Sequence, residues 1–234
     1  MFRLLTKKNE WLLYHLPLSL GGLYLAWLQH PPGGAEFLFD LGITLLSFSG
    51  SGIFVRYYND IFDIEADTRA GKKNLAARDT LRARIWILLS SSMLVFFPLL
   101  FLPNPGWPIL LMALQHTLYI LYSTPPLRWK ERKLLGPLAD ALYGHTIPFF
   151  AAYAIGVDQG LASSHSLWVV VVVLSLFFLN GVLNILSHQL EDAKADEKGG
   201  NRTLVVQLGH DRRTGLSKIL WWSLLVLTFM TLLF

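Results

Sequence analysis

The chain has 234 residues, 53% of them hydrophobic and 15% charged, with 20 Lys and Arg, 16 Asp and Glu and a formal net charge of +4. Its mean hydropathy of +0.44 is too apolar and too charge-poor for an ordinary soluble domain, which makes it a membrane protein. It contains no cysteine, so disulfides and thiol chemistry are excluded.

In chain order, apolar runs long enough to cross a bilayer, about 17 to 25 residues each, lie at 11–29, 37–58, 85–103, 107–123, 137–157, 167–187 and 216–234. They predict an all-α fold, a polytopic transmembrane helix bundle forming a single domain over 1–234. The first run follows Lys7 and Lys8 as a signal peptide would. It closes on His30-Pro31-Pro32-Gly33-Gly34 without a small-x-small cleavage site, so it is expected to be retained.

The 20 Lys and Arg precede the first run or lie at 56–84, 128–133 and 194–218, whereas the connections 30–36, 104–107 and 156–166 hold none. The positive-inside rule then puts the N-terminus and the charged connections in the cytoplasm. A positive net charge can also mark a nucleic-acid binder. Topology and anionic lipid head groups account for it here, and no nucleic-acid partner is expected.

The polar chemistry gathers in two stripes, Asn59-x-x-x-Asp63-x-x-x-Asp67 and His188-x-x-x-Asp192-x-x-x-Asp196, each abutting an apolar run. A spacing of four keeps successive side chains on one helix face. On a wheel Arg56, Asn59, Asp60, Asp63 and Asp67 fall within an arc of about 100°. The second stripe begins deeper, at Asn180 and Asn184, and forms a track from mid-membrane to the cytoplasmic surface. A single Asp at a helix end is ordinarily a solvated cap. Two such ladders on one membrane face point instead to function, because carboxylates at a bilayer boundary are costly.

The ladders are also a weak internal repeat. The first continues into Gly71-Lys72-Lys73-Asn74 and the second into Lys198-Gly199-Gly200-Asn201-Arg202. Each therefore runs carboxylate, carboxylate, glycine-bearing basic turn. Mg²⁺ takes one or two carboxylates plus phosphate oxygens and water, so facing half-sites suit a divalent cation holding a diphosphate. Lys72, Lys73, Lys198 and Arg202 are positioned to neutralise the remaining charge. His188 either continues the ligand row or orients a carboxylate. His116 and His145 read as hydrogen-bonded packing residues, and Asp140 with Tyr143 as lining of the cavity.

At these residues the sequence resembles the UbiA superfamily of intramembrane prenyltransferases. Asn59-Asp60-x-x-Asp63-x-x-x-Asp67 fits that family's N-D-x-x-D-x-x-x-D motif, and Asp192-x-x-x-Asp196 its D-x-x-x-D motif. Between them Tyr122-Ser123-Thr124-Pro125-Pro126-Leu127-Arg128-Trp129-Lys130 is similar to its Y-S-x-P-P-L-R-x-K segment. The resemblance implies a helical bundle with a central cavity and a cytoplasmic cap, and Mg²⁺-dependent prenyl transfer from an isoprenyl diphosphate to a lipophilic or aromatic acceptor, Mn²⁺ substituting. It implies that Asn59, Asp63, Asp67, Asp192 and Asp196 bind the diphosphate through the metal. Lys72, Lys198, Arg128 and Lys130 would touch the diphosphate, and Tyr122 and Ser123 would stand near the allylic carbon or its leaving oxygen. Arg56, Asp60, Asn184, His188 and Arg202 complete the expected substrate-binding set.

Family members usually have nine membrane helices against seven runs here, so the chain is expected to be either C-terminally incomplete or open on one side. The Arg that many members place before the proline of the first helix is replaced in Leu13-Tyr14-His15-Leu16-Pro17. Two rivals fit less well. A CDP-alcohol phosphotransferase needs a D-G-x-x-A-R opening, which is missing. An ion-coupled transporter needs acids or broken helices at mid-bilayer, where the ladder track offers only Asn180 and Asn184.

The charge asymmetry is checked by labelling. Cysteines introduced at Lys72 and Gly199 are expected to react only from the cytoplasm and one at Gly106 only from outside; opposite labelling of Lys72 and Gly199 would separate the two ladders.

Overall fold

The computed structural model describes residues 16–157, 167–209, 215, 222 and 223. Their regular structure is entirely helical: α1 Leu16–Gln29, α2 Gly34–Phe62, α3 Ile64–Ala70, α4 Leu81–Leu99, α5 Gly106–Ser123, α6 Leu135–Ala141, α7 Ile147–Gly156, α8 Leu167–Gly199 and α9 Leu204–Leu208. Short 3₁₀ turns at Ala76–Arg78 and Trp129–Glu131 and a π turn at Leu142–Thr146 complete the set. The seventh run, 216–234, and positions 13–15 lie outside the described residues apart from Trp222 and Ser223.

Three described helices, Gly34–Phe62, Leu81–Leu99 and Val170–Gly199, are long and apolar enough to cross a membrane. Apolar side chains fill both the inside and the outside of the bundle, as a lipid environment requires. Leu23, Ile43, Phe48, Val95, Leu99, Met112 and Ile147 share one buried cluster, while Trp86, Met93, Phe97, Phe101 and Leu110 are exposed. A second cluster of Phe54, Tyr119, Ala139 and Tyr143, with Tyr58, Tyr122 and Trp129 against it, lies toward the charged end. α1 packs on α7, α2 on α4, and α8 on α6, the π turn, α3 and α9.

Two predicted elements are divided. The run 137–157 is α6, the π turn and α7. Pro148 has no N–H for the carbonyl of Gly144, and Thr146 Oγ1 donates to the Ala141 carbonyl at 3.0 Å, so the regular ladder is interrupted just before the proline. The first acidic ladder is not one helix either. The chain turns at Asp63 (φ −106°, ψ 7°), where Arg128 Nη1 reaches the Phe62 carbonyl at 3.3 Å. The i→i−4 bonds from the Asp63 N–H to the Asn59 carbonyl (3.1 Å) and from the Asp67 N–H to the Asp63 carbonyl (2.8 Å) continue across it.

α8 is set close to its neighbours by two glycines. A Cβ at Gly181 would stand 2.8 Å from Ala141 Cα and 3.0 Å from His145 Cγ, and one at Gly199 would stand 3.0 Å from the Ala66 carbonyl oxygen. The exposed Lys198 is therefore a better labelling position than Gly199.

Gly181→Val is expected to cost about 1–3 kcal/mol through overpacking, read as a lowered Tm in detergent. Gly106→Val, with nothing within 4 Å of the new Cβ, serves as the control, and equal Tm values for the two would contradict the close approach.

Candidate active site

The sequence repeat is a repeat of structure. α3 and α8 end in the same cap. Gly71 and Gly200 have φ of 73° and 81°, a conformation glycine adopts without penalty. Their N–H groups bond to the carbonyls of Thr68 (3.1 Å) and Glu197 (3.2 Å), and the next N–H groups, of Lys72 and Asn201, reach the carbonyls of Asp67 (2.8 Å) and Asp196 (2.9 Å). This is the Schellman arrangement, and it places one ladder carboxylate in the last turn of each helix. The two ends lie side by side, with Arg69 Nε donating to the Gly199 carbonyl at 3.0 Å. Helix C-termini carry partial negative charge, so carboxylates and dipoles together favour cations here.

Asp63 is the centre of a second convergence. Lys130 Nζ and Arg128 Nη2 both contact its Oδ1, the latter at 3.0 Å. Asn59 donates from Nδ2 to Asp63 Oδ2 at 2.8 Å, and Asn59 Oδ1 accepts from Ser123 Oγ and Lys130 Nζ, each at 3.2 Å. The segment after α5 is thus folded onto the end of α2, helped by a 2.8 Å contact between the Tyr58 and Thr124 hydroxyls. Arg128 has φ 34°, a sparsely populated conformation for a residue with a side chain. Its guanidinium is fastened to Glu131 (2.5 Å), the Phe62 carbonyl and Asp63.

The remaining ladder carboxylates are also engaged. Lys72 Nζ crosses to Asp192 Oδ2 at 2.9 Å. Asn74 Nδ2 donates to Asp67 Oδ2 at 2.8 Å, and Asp196 accepts from Asn201 Nδ2 (3.3 Å) and Thr203 Oγ1 (3.4 Å). A cavity of about 290 Å³ opens beside the cluster, bounded by Phe62, Glu65, Arg69, Arg128, Glu131 and Asn201.

The two lysines differ electrostatically. Burial lowers the Lys130 pKa below its ordinary value, outweighing the attraction of Asp63, and the neighbouring Arg128 adds to the depression. Partial burial also opposes the charge of Lys72. Its hydrogen bond to Asp192 and the attraction of Asp192, Asp196 and Asp67 together prevail, and the pKa is raised.

Of the other predicted residues, Asp60 is buried and receives the Leu75 N–H on Oδ2 at 2.9 Å, with Arg56 Nε 3.7 Å from its other oxygen. Both secure the 71–80 loop. Asn184 Nδ2 meets His145 Nε2 at 3.2 Å, and His116 Nδ1 meets the Met112 carbonyl at 2.9 Å, so both histidines do pack with partners. His188 Nδ1 lies 3.9 Å from Glu191. Lys198 and Arg202 are exposed at the end of α8 and in the turn after it. Asn74, Asn201 and Thr203 are the residues that sequence reasoning left without a role. The asparagines stand in both copies of the repeat, and that recurrence is the signal for them.

Among the described residues no three His, Asp or Glu side chains converge on one point. The donor set nevertheless suits Mg²⁺, which needs only one or two carboxylates when phosphate and water supply the rest. Asp63 and Asp67 in one half-site and Asp192 and Asp196 in the other provide them, at two negatively polarised helix ends.

A family model described as the UbiA prenyltransferase family matches residues 15–234. The chain is 28% identical over 203 residues to a lycopene elongase/hydratase of Corynebacterium glutamicum, covering 84% of this chain and 67% of that protein. It is 28% identical over 177 residues to a chloroplastic 2-acylphloroglucinol 4-prenyltransferase of Humulus lupulus, covering 74% and 42%. The fold is similar to that of a UbiA homolog from Archaeoglobus fulgidus bound to DMAPP and Mg²⁺, with a TM-score of 0.70 and 19% identity over 94% of this chain and 74% of that one.

Asn74 also donates to the Asp60 carbonyl at 2.8 Å, so it pins the 71–80 loop at two points. Asn74→Ala is expected to speed tryptic cleavage after Lys72 and Lys73 about tenfold, corresponding to about 1.4 kcal/mol of lost restraint; an unchanged rate would mean the loop is held by other contacts.

Proposed function

The chain belongs to the UbiA prenyltransferase family, and from that premise we propose that it transfers the prenyl group of an isoprenyl diphosphate to a lipophilic or aromatic acceptor inside the membrane. The observation that carries this reading is the meeting of three distant segments, 59–67, 122–130 and 192–201, in one cluster of carboxylates, amides and cations. We read the chain as multi-pass, with this cluster at the cytoplasmic face and residues 1–234 acting as one domain. The relatives' names and the Mg²⁺ and DMAPP bound to the Archaeoglobus fulgidus homolog support the donor and metal assignment.

Asp63 and Asp67 on one side and Asp192 and Asp196 on the other would hold the metal, with Asn59 completing the set. Bound Mg²⁺ supplies Lewis-acid neutralisation of the departing diphosphate. Lys72, Arg128 and Lys130 would supply the protein's own positive charge to the phosphate oxygens, with Lys198 and Arg202 at the rim. The allylic C–O bond breaks and its electron pair leaves with the diphosphate. Positive charge then develops on the allylic carbon, and the rings of Tyr122 and Tyr143 would stabilise it. Ser123, tied to Asn59, fixes the position of Tyr122. A pair of π electrons from the acceptor forms the new bond, and the apolar bundle keeps competing water away.

Asp192→Asn and Asp63→Asn are each expected to lower turnover a hundredfold or more, a loss of about 3 kcal/mol of transition-state stabilisation. Asp192 is half exposed, so its replacement leaves folding untouched. Asp63→Asn leaves the buried Lys130 without its carboxylate and is expected to lower stability as well as turnover, so Asp192→Asn is the variant that reads turnover alone. EDTA is expected to abolish activity and Mg²⁺ or Mn²⁺ to restore it. Product formation from labelled isoprenyl diphosphates, followed by mass spectrometry, checks each point, and near-wild-type rates in both variants would contradict the reading.

A further inference from the structure

Prenyl transfer to carbon or oxygen ends with a proton to be removed, and the ladder carboxylates are committed to cations and amides at the diphosphate end. One carboxylate lies apart from them. Asp140, in the last turn of α6, is partly buried and accepts a hydrogen bond on Oδ2 from the hydroxyl of Tyr143, itself 7% exposed. The Tyr143 ring meets Tyr119 and Tyr122 of α5 nearly edge-on, with centroids 4.4 and 5.2 Å away. Tyr122 lies within electrostatic reach of Asp140 on one side and of Asp63 and Asp196 on the other. Its neighbour Ser123 bonds to Asn59. Asp140 is therefore separated from the diphosphate cluster by one aromatic layer.

The groups facing Asp140 are the phenols of Tyr143, Tyr122 and Tyr119 and, from α8, the imidazole of His188. A carboxylate kept in a membrane bundle beside phenols, rather than against Lys or Arg, carries a desolvation cost that ordinary packing does not explain. Asp140 and Tyr143 thus belong to one aromatic cluster with Tyr119 and Tyr122, whose chain neighbour Ser123 is bonded to Asn59 of the first ladder.

We propose that Asp140, positioned by Tyr143, is the base that takes the proton released when the acceptor captures the prenyl group. This rests on the prenyl-transfer reading above. When the acceptor's π pair has formed the bond to the allylic carbon, the positive charge lies on the acceptor. A neighbouring C–H, or the O–H of an oxygen acceptor, gives its electron pair back to the acceptor, and the proton passes to Asp140, converting carboxylate to carboxylic acid. The Tyr143 hydroxyl occupies one oxygen and leaves the other for the proton.

The test follows the fate of the cation in purified protein with Mg²⁺ and dimethylallyl diphosphate, with lycopene as acceptor probe and without any acceptor. Diphosphate release is measured alongside the ratio of proton-loss products to water-capture products. Asp140→Asn is expected to lower that ratio by about tenfold or more, a small part of what a positioned base contributes, while binding of inorganic pyrophosphate with Mg²⁺ is unchanged. Tyr143→Phe, which keeps the carboxylate but not its anchor, lowers the ratio less, and Asp140→Glu restores part of it. An unchanged ratio in Asp140→Asn, loss of its pyrophosphate binding, or a wild-type protein that yields only water-capture products each overturns the assignment. Wild-type protein that releases no diphosphate in either arm counts instead against prenyl transfer itself.

Discussion

Asp63 and Lys130 face each other with 7% and 8% of their surfaces exposed, and the rest of the site depends on that pairing. Removing either partner of a buried pair leaves an uncompensated charge, at a cost of about 3–5 kcal/mol. The pair therefore fixes the turn at 129–131 against the end of α2, although the residues are 67 apart in sequence. Arg128, seated on the Phe62 carbonyl and on Asp63, bends the chain at the same point. α3 follows directly, and its Arg69 side chain reaches the end of α8.

The resulting cluster concentrates opposite charges rather than separating them. Four ladder carboxylates and two helix C-termini attract cations, and Lys72, Arg128 and Lys130 stand among them. A bare diphosphate would meet the carboxylates, and a bare metal would meet the lysines. A metal and a diphosphate together would satisfy both, the carboxylates holding the metal and the positive groups exchanging their carboxylate partners for phosphate. Outside this polar end the described helices carry apolar side chains both in the core and on the surface, with Asp40, Thr44, Ser51 and Gln115 among the buried polar residues.

Much of this was legible in the residues. The four-residue spacing in the two ladders, the Tyr122–Lys130 segment between them and the distribution of Lys and Arg all follow from local pattern, and the three motif segments do meet. The histidines at 116 and 145 are packing residues, as apolar flanks suggest. What pattern could not supply came from contacts distant in sequence. The turn at Asp63 is held by Arg128, 65 residues away. Asp60 looks like a ladder member on a wheel, but the 71–80 loop folds back and takes its carboxylate. The interruption at Leu142–Thr146 was foreshadowed only by Pro148. Asn74 and Asn201 were visible as repeated residues, yet their bonds to Asp67 and Asp196 depend on cap geometry that composition does not encode.

The two helix-end carboxylate sets are proposed to act as one site for a metal-bound diphosphate. Anomalous diffraction from crystals grown with Mn²⁺ and a non-hydrolysable isoprenyl diphosphate analogue tests it most directly. Manganese peaks are expected against Asp63 or Asp67 and against Asp192 or Asp196, with diphosphate density between them and Lys72 and Arg128 on its oxygens. Manganese confined to one helix end, or diphosphate bound away from both, would contradict it.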